Sequence, residues 1–319
     1  MTIAVSASVA TDNLMTFPGK FSEQLLADHL DHISLSFLVD GLDIRKGGVA
    51  GNICYALGLL GENPVLLAAV GKDFTEYRTW LEEHGVDCSY VHVSEEAATA
   101  RFTCTTDTDL AQIASFYPGA LSESAEVSLH DVNPRPELVL VGPSSPDAML
   151  RHTTEAKELG IPFAADPSQQ LTSLDGDAIV ELIDGAYYLF SNEYEFGLIQ
   201  QKTGMSAAEI DSRVEVRVTT LGERGAEIVS PDGYEFVPAV KAVEEKDPTG
   251  VGDAFRAGFL SAKLKGLSWK HAAQVGALVA VYVVETVGTQ EWEWDRKKAH
   301  NRFVETYGEE DAAVVFAKF

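Results

Sequence analysis

Short apolar segments rich in β-branched residues alternate along this chain with amphipathic segments of helical length. The apolar segments cover residues 65–70, 138–141, 162–165, 187–190 and 214–219. The intervening segments repeat apolar residues at helical spacing, as in 49–60, 73–84 and 146–159. Because strands that are apolar on both faces are usually buried under helices, this alternation predicts a parallel sheet covered on two sides. The expected fold class is α/β, as a three-layer α/β/α sandwich.

Two segments depart from this alternation. Residues 13–46 contain patches of alternating polar and apolar residues, such as 33–38, and residues 98–117 form two alternating stretches around a turn at 106–109. They predict either a small β-sheet that projects from the main body or two ordinary surface hairpins. In the first case residues 1–12, 47–97 and 118–319 form a large domain, and residues 13–46 and 98–117 a small β lid. The last third is predicted to be helical at 254–265, 269–284 and about 296–307.

The charge of the chain excludes several classes of partner. Its 319 residues include 24 Lys and Arg against 49 Asp and Glu, a formal net charge of −25. Such a chain repels a phosphate backbone and an anionic lipid surface, so binding to nucleic acid or to membranes is not expected. The apolar run at 275–284 is shorter than the roughly 20 residues that a membrane-spanning helix needs.

The cysteines and the first residues indicate the compartment. Cys54, Cys88 and Cys104 include no C-x-x-C pair, which disfavours a disulfide framework and a zinc site. No basic residue precedes Lys20, so the apolar stretch 3–10 does not resemble a signal peptide. Both features predict a cytoplasmic protein.

The stretch 247–259 is the most informative motif. Gly250 and Gly252 stand directly before a helical pattern, where backbone amides and the helix N-terminus can together bind an anion. Asp253 follows in the first helical turn. It can either cap the helix or accept the proton of an attacking hydroxyl beside that anion site. Neither a Walker A sequence nor G-x-G-x-x-G occurs, so those phosphate-binding motifs have no support.

The same stretch, D-P-T-G-V-G-D-A-F-R-A-G-F, resembles the C-terminal signature of the ribokinase-like (PfkB) family of carbohydrate and nucleoside kinases. Three further family elements follow in the expected order: V-S-A-S-V-A-T-D at 5–12, G-G-V-A-G-N at 47–52 with Gly61 and Gly71 after it, and N-E-Y-E at 192–195. Ala7, Cys54 and Val251 depart from the usual family residues by small or apolar changes. The stretches 34–37, 100–103, 112–119 and 166–170 are similar to the bacterial adenosine kinases of this family.

The resemblance implies a catalytic centre and a nucleoside site. Asp253 corresponds to the catalytic base, and the amides of Gly250, Val251 and Gly252 to the anion hole. Asp12 and Asn52 would bind sugar hydroxyls, and Phe102 and Phe116 would stack on a purine. The full substrate set is Ser8, Asp12, Ser36, Gly47, Gly48, Asn52, Phe102, Phe116, Gln169 and Gln170. The structural alternatives are a turn residue for Asp12, a helix cap for Asn52 and ordinary sheet core for the two phenylalanines.

The resemblance also implies a nucleotide end of the site. Asn192, Thr219, Gly222 and Gly225 would contact ATP, and Glu195 would act on Mg²⁺ through water. Asp247 and Thr249, with carbonyls of the loop 287–289, resemble the ligands of a monovalent cation such as K⁺. The alternative for Asn192 and Glu195 is helix capping, and glycine-containing loops like 219–225 are common in proteins of other functions.

These assignments predict adenosine kinase activity, ATP + adenosine → ADP + AMP, as a step of purine salvage, with Mg²⁺ and K⁺ as ions. The lid would close over the substrates to exclude water, and a homodimer through the lid is compatible with the pattern without being required by it. A ribose or fructose kinase and a catalytically silent nucleoside-binding protein remain the alternatives. Residues 241–265 carry five basic and four acidic side chains. This near-neutral segment in an acidic chain favours an uncharged acceptor such as a nucleoside.

Overall fold

A computed structural model describes residues 2–24 and 36–319 of the chain. Part of the predicted alternating patch at 33–38, and part of the adenosine-kinase-like stretch 34–37, lie outside the described residues. No helix in the described ranges is both long and apolar enough to cross a membrane.

The main sheet has eight strands. In chain order they are β1 (Ile3–Ser6), β4 (Val65–Leu67), β9 (Leu138–Val141), β10 (Phe163–Ala165), β11 (Tyr188–Asn192), β12 (Val216–Thr220), β13 (Ala226–Ser230) and β14 (Gly233–Val237). Their spatial order is β14-β13-β12-β11-β10-β9-β1-β4. The six strands from β4 to β12 are parallel, as predicted, and the antiparallel hairpin β13–β14 extends the sheet at one edge. The sequence analysis did not predict that hairpin.

Helices cover both faces of this sheet. They are α2 (Val49–Leu59), α3 (Thr75–Glu83), α4 (Pro146–Leu159), α5 (Gly176–Ile183), α6 (Glu193–Thr203), α7 (Ala207–Asp211), α8 (Val251–Leu264), α9 (Trp269–Val284), α10 (Arg296–Tyr307) and α11 (Glu309–Phe316). The short helix α1 (Phe21–Gln24) lies at the smaller sheet instead. Neighbouring strand residues point into opposite cores: Leu140 packs with α2, α8 and α9, and Val139 and Val141 with α4 and α5. The predicted three-layer α/β/α sandwich is therefore confirmed.

The close packing of α8 and α9 fixes the position of the helix that carries Asp253. A Cβ atom added to Gly258 would lie 2.9 Å from the Cα of Gly276, so the two helix backbones approach more closely than side chains would permit. Ser268 caps α9 by accepting a hydrogen bond from the amide of His271 at 3.2 Å. The N-terminus of α8 is consequently held at a defined place above the sheet.

The two irregular segments form a second sheet of four strands. It has the order β3 (Gly41–Gly47), β2 (Ala10–Thr16), β7 (Ala100–Thr106) and β8 (Gln112–Tyr117). The surface-hairpin alternative therefore does not describe these residues. The sheet begins at Ala10, so Asp12 lies in the small sheet and not in the large domain to which the sequence assigned it. Two short strands, β5 (Ala69–Val70) and β6 (His92–Val93), pair separately.

Candidate active site

A cavity of about 550 Å³ lies between the small sheet and the carboxyl ends of the central strands. This volume is in the range of pockets that bind small molecules, about 300–1,000 Å³. Loops after β1, β9 and β10 form one side, the small sheet a second, and the first turns of α2 and α8 a third. The lining residues are Ser8, Ala10, Asp12, Gly48, Val49, Asn52, Phe102, Phe116, Leu121, Pro143, Gln169, Gln170, Thr172, Thr249, Gly250, Asp253 and Thr289.

Helix α8 begins at the wall of this cavity, which Gly250 and Asp253 both line. Its N-cap, Gly250, has φ +75°, a left-handed conformation that favours glycine, and a Cβ there would lie 2.8 Å from a methyl carbon of Thr289. No side chain caps the helix. The first amides of a helix lack intrahelical acceptors, so this turn can bind an anion. The amide of Val251 makes a long 3.4 Å bond to the carbonyl of Pro248, which weakens its predicted part in the anion hole.

Asp253 does not cap α8, so that alternative is wrong. Its Oδ2 instead accepts a hydrogen bond of 2.8 Å from Nδ2 of Asn52. Burial raises the pKa of Asp253 to about 7; the charges of Asp166 and Glu195 act in the same direction, whereas the Asn52 hydrogen bond and the Arg256 charge oppose it. A general base works best with a pKa near the pH at which it operates. The position and the titration of Asp253 both fit the role of a base.

The titration of Asp253 predicts a specific pH dependence. Only the ionised carboxylate can accept a proton, so kcat/KM should be constant at high pH and fall about tenfold per pH unit below about pH 7. Burial also raises the pKa of Asp12 to about 6, assisted by Asp247 and Glu291 and opposed by Arg45. If ionised Asp12 is needed for binding, the slope of log kcat/KM against pH should approach two below about pH 6. A pH profile of kcat/KM between pH 5 and 9 tests both steps, and a flat profile through pH 7 would contradict the assignment of Asp253.

A buried ion pair lies directly beneath Asp253. Arg256 donates from Nη2 to Oδ1 of Asp166 at 2.6 Å, and its Nε lies 2.6 Å from Oδ2 of the same carboxylate. The side chains are 7 % and 1 % exposed. Nη2 is also 4.0 Å from Oε2 of Glu195. The Arg256 guanidinium therefore interacts with the charges of three carboxylates, those of Asp166, Glu195 and Asp253.

Arg256 was counted from the sequence only among the basic side chains of 241–265, and no role was predicted for Asp166. Two signals were present in the sequence. Arg256 interrupts an otherwise apolar helical face, and Asp166 directly follows the apolar strand β10. A charged residue at each of these buried positions requires a partner.

Asn52 also has no capping role. Helix α2 has Gly48 as its N-cap, at φ +86°, and no side-chain cap. The Asn52 side chain is buried and connects Asp253 to Gln290, whose Nε2 donates to Oδ1 of Asn52 at 3.1 Å. Gln290 was likewise not predicted, although it directly follows the motif residues 287–289.

Asp12 is a strand residue and not a turn residue. Its neighbours across the small sheet are Arg45 on β3 and Phe102 on β7. A Cβ added to Gly47 would lie 2.8 Å from Oδ2 of Asp12, so the glycine leaves room for the carboxylate. A Cβ added to Gly48 would lie 2.5 Å from the amide nitrogen of Ala10, so only glycine allows the chain to pass this close to β2. The glycine pair thus places Asp12 and the start of α2 against the same cavity.

Phe102 and Phe116 face each other across the β7–β8 pair and both line the cavity. Phe116 is 52 % exposed. An aromatic ring that is half exposed in a concave wall is not ordinary sheet core. The two rings give the cavity an apolar surface on the small sheet, whereas Asp253 lines it from helix α8.

The remaining predicted substrate residues differ in their placement. The Ser8 Oγ accepts a hydrogen bond from the amide of Val49 at 3.2 Å, and Gln170 donates to the carbonyl of Ser144 at 2.8 Å. Both residues line the cavity, as does Gln169. Ser36 is exposed and is not part of the lining. Ala10, Val49, Leu121, Pro143 and Thr172 line the cavity without having been predicted, and Thr289 lines it although the sequence assigned it only to the cation loop.

The predicted nucleotide residues lie outside this cavity. Asn192 and Glu195 form a capping box at the start of α6: Oδ1 of Asn192 accepts from the amide of Glu195 at 2.8 Å, and Oε2 of Glu195 accepts from the amide of Asn192 at 2.7 Å. Thr219 is buried within β12, and its hydroxyl accepts a hydrogen bond from Arg217 at 2.9 Å. This placement does not support the predicted ATP contact of Thr219. Gly222 and Gly225 form a tight turn after that strand.

The residues predicted to act on metal ions differ in their fit. Among the described residues, no group of three or more His, Cys, Asp and Glu forms a metal cage. Mg²⁺ in kinases keeps several waters and is bound mainly by substrate phosphates. Glu195, with one oxygen used for helix capping, suits a contact through water. Asp247 accepts hydrogen bonds from the amides of Thr249 at 2.9 Å and Gly288 at 3.1 Å, so it joins the two loops predicted to hold a monovalent cation.

The comparisons with known proteins agree with this geometry. The pfkB family of carbohydrate kinases matches residues 27–296. A nucleoside kinase of Methanocaldococcus jannaschii is 33 % identical over 249 residues, which cover 76 % of this chain and 80 % of that protein. The solved structure of Burkholderia thailandensis nucleoside kinase in complex with inosine has a TM-score of 0.86 and 36 % identity, with 97 % of each chain covered.

Proposed function

The chain belongs to the pfkB family of carbohydrate kinases, and on that premise we propose that it transfers the γ-phosphoryl group of ATP to the 5′-hydroxyl of a purine nucleoside. Adenosine is the substrate expected from the sequence. Inosine is the nucleoside bound in the similar Burkholderia thailandensis structure, which makes it the second candidate.

One observation carries the proposal. The same cavity is lined by Asp253 and the uncapped first turn of α8 from the main body and by Phe102 and Phe116 from the small sheet. Aromatic rings stack on nucleobases, with a stabilisation of about 1–3 kcal/mol per base. A free pentose or hexose has no group that requires such a surface. The arrangement therefore supports a nucleoside better than a sugar.

The proposed phosphoryl transfer uses the residues that line this cavity. Asp253 accepts the proton of the 5′-hydroxyl while the oxygen forms its bond to the γ-phosphorus, and the bond from that phosphorus to the β-phosphate bridging oxygen breaks, which releases ADP. The amides at Gly250 and Gly252 bind the oxygens of the transferred group. Asp12 accepts hydrogen bonds from ribose hydroxyls. Glu195 would hold Mg²⁺ through water, and the ion would neutralise phosphate charge when bound.

A turnover screen tests the substrate class. ADP release should be followed with adenosine, inosine, guanosine, ribose and fructose as acceptors, with Mg²⁺, and with and without K⁺. We expect purine nucleosides to exceed the sugars in kcat/KM and K⁺ to increase turnover through the loops joined by Asp247. Preferred turnover of ribose or fructose would replace the nucleoside proposal with the sugar-kinase alternative, and no turnover of any acceptor would favour the silent binding protein.

Replacing both aromatic side chains, in Phe102→Ala/Phe116→Ala, should lower kcat/KM for the nucleoside by about 10- to 100-fold, because stacking is worth about 1–3 kcal/mol per base. The effect should appear mainly in KM. Tyr117→Ala is the matched control, since Tyr117 is 51 % exposed and, one residue on from Phe116 in β8, points to the opposite face. Equal activity of the double variant and the control would exclude stacking on these rings.

A further inference from the structure

Gln290 lies behind the cavity, 2 % exposed, and contacts three side chains from two helices. Its Oε1 accepts a hydrogen bond of 3.1 Å from the indole Nε1 of Trp80 on α3. Its Nε2 donates to Oδ1 of Asn52 on α2 at 3.1 Å and to the hydroxyl of Tyr77. Asn52 in turn donates to Asp253. A continuous chain of hydrogen bonds therefore leads from Trp80 to Asp253.

Trp80 determines which group is donor and which is acceptor along this series of hydrogen bonds. An indole N–H can only donate, whereas the two ends of a Gln or Asn amide can exchange donor and acceptor by a flip. Trp80 therefore requires the oxygen of Gln290 to face it, which turns Nε2 toward Asn52. Nε2 can only donate, so it requires the oxygen of Asn52. The Nδ2 group of Asn52 is consequently the end that faces Asp253.

Tyr77 completes the set of partners. Its hydroxyl accepts from Gln290 and donates to the carbonyl of Gly47 at 2.9 Å, so both N–H groups of Gln290 have acceptors. A Cβ added to Gly51 would lie 2.0 Å from the Tyr77 hydroxyl. The glycine in the first turn of α2 thus leaves the space in which this hydroxyl sits. The space, the donors and the acceptors all match one orientation of the network.

We propose that Gln290 is a positioning residue for catalysis, which locks the Asn52 amide so that it presents an N–H donor, and never its oxygen, to Asp253. This inference rests on the proposed role of Asp253 as the base. The charged groups that face Asp253 are Arg256 on its own helix, Asp166 after β10 and Glu195 on α6. Asn52 is the neutral partner, and Gln290 controls it without contacting Asp253 itself.

The variant Gln290→Met tests this role without adding charge. It keeps the approximate volume but cannot orient Asn52, so the Asn52 oxygen can turn to Asp253 and oppose its ionisation. We expect the low-pH limb of kcat/KM to move upward by about one pH unit, since a hydrogen bond to a charged group is worth roughly that much. kcat at pH 7 should fall about fivefold, because the ionised fraction of Asp253 drops from about one half to about one tenth, and KM should change less than threefold. Trp80→Phe, which removes the indole donor and keeps an aromatic ring at this position, should produce a smaller shift in the same direction.

Two further variants separate positioning from a general structural effect. In an Asn52→Ala background, Gln290→Met should cause no additional shift, because the group it orients is gone. Tyr55→Phe removes a neighbouring buried hydrogen bond, 2.9 Å to the carbonyl of Trp292, that is not part of the hydrogen-bond chain to Asn52, and it keeps the ring that stacks on Trp80. The Tyr55→Phe variant should therefore not change the pH at which kcat/KM begins to fall.

The pKa of Asp253 can also be followed in the substrate-free protein by carbon-13 NMR of its carboxyl group, assigned with Asp253→Asn. This readout does not depend on turnover, so a wrong proposal about substrate would not obscure it. We expect the pKa to rise in Gln290→Met and in Trp80→Phe. An unchanged pKa in both variants, or additive shifts from Gln290→Met and Asn52→Ala, would overturn the proposal. If Gln290→Met does not fold, Trp80→Phe alone gives the decision.

Discussion

Asp253→Asn should lower kcat by about 10³-fold or more, while the Kd of the nucleoside changes only a few-fold. An amide has nearly the shape of a carboxylate but cannot accept the proton of the 5′-hydroxyl, and general base catalysis typically contributes 10²–10⁴-fold. Asn52 can still hydrogen-bond to the amide oxygen, so the packing at the start of α8 should be preserved. Single-turnover assays measure the chemical step, and isothermal titration calorimetry measures nucleoside affinity.

Asp12→Asn is the informative comparison for that variant. It changes a second carboxylate of the same cavity that also has a raised pKa, but one placed on the small sheet and assigned to binding. Its effect should appear chiefly in KM. If Asp253→Asn retained near-normal turnover while Asp12→Asn abolished it, the roles of the two carboxylates would have to be exchanged.

The parts of the fold that could be predicted are those encoded locally. The strand β9 is apolar at every position, and α4 begins with a capping Ser145 and ends at Gly160 in a left-handed conformation, so their positions follow from short stretches of sequence. The start of α8 at Gly250 could also be predicted, because the glycines that precede the helix lie next to it in the sequence. Strand β2, by contrast, was placed too late, because A-T-D-N-L-M-T shows little alternation of polar and apolar residues.

The interactions that could not be predicted join residues far apart in the chain. Asn52 contacts Asp253 over a separation of 201 residues, and Gln290 contacts Asn52 over 238. Nothing in either local sequence identifies the partner. A nearby contact was also missed: the sequence places Thr219 at the end of a strand, but only the fold shows that it is buried and that Arg217, two residues earlier, donates to its hydroxyl.

The position of Arg256 bears on the acidity of the whole chain. A net charge of −25 opposes the approach of ATP with its phosphates, so attraction must arise locally. Arg256 does not supply it freely, because Asp166 already occupies its guanidinium. The uncapped amides of α8 and a bound metal ion would attract phosphate instead. Arg256 lies close enough to Asp166 and Glu195 to offset their charge.

Arg256→Met should consequently destabilise the protein by about 3–5 kcal/mol at pH 8, the usual cost of leaving one partner of a buried ion pair without the other. Chemical unfolding monitored by circular dichroism measures this loss. Burial already raises the pKa of Asp166, and the loss of Arg256 should raise it further. A carboxyl whose pKa is raised on folding stabilises the folded state most below its unfolded pKa, and this contribution is lost as the pH rises. The loss should therefore be smaller at pH 5 than at pH 8.

Two comparisons complete this test. Arg256→Met/Asp166→Asn removes the buried charge as well, so it should recover much of the lost stability and its pH dependence. Arg213→Met breaks the exposed pair with Asp184, where the side chains are 39 % and 53 % exposed, and should cost less than about 1 kcal/mol. Because Arg256 also lowers the pKa of Asp253, the variant should shift the low-pH limb of kcat/KM upward. A pH-independent loss of stability that the double substitution does not reduce would show that Arg256 acts through packing, against Phe190 for example, and not through its charge.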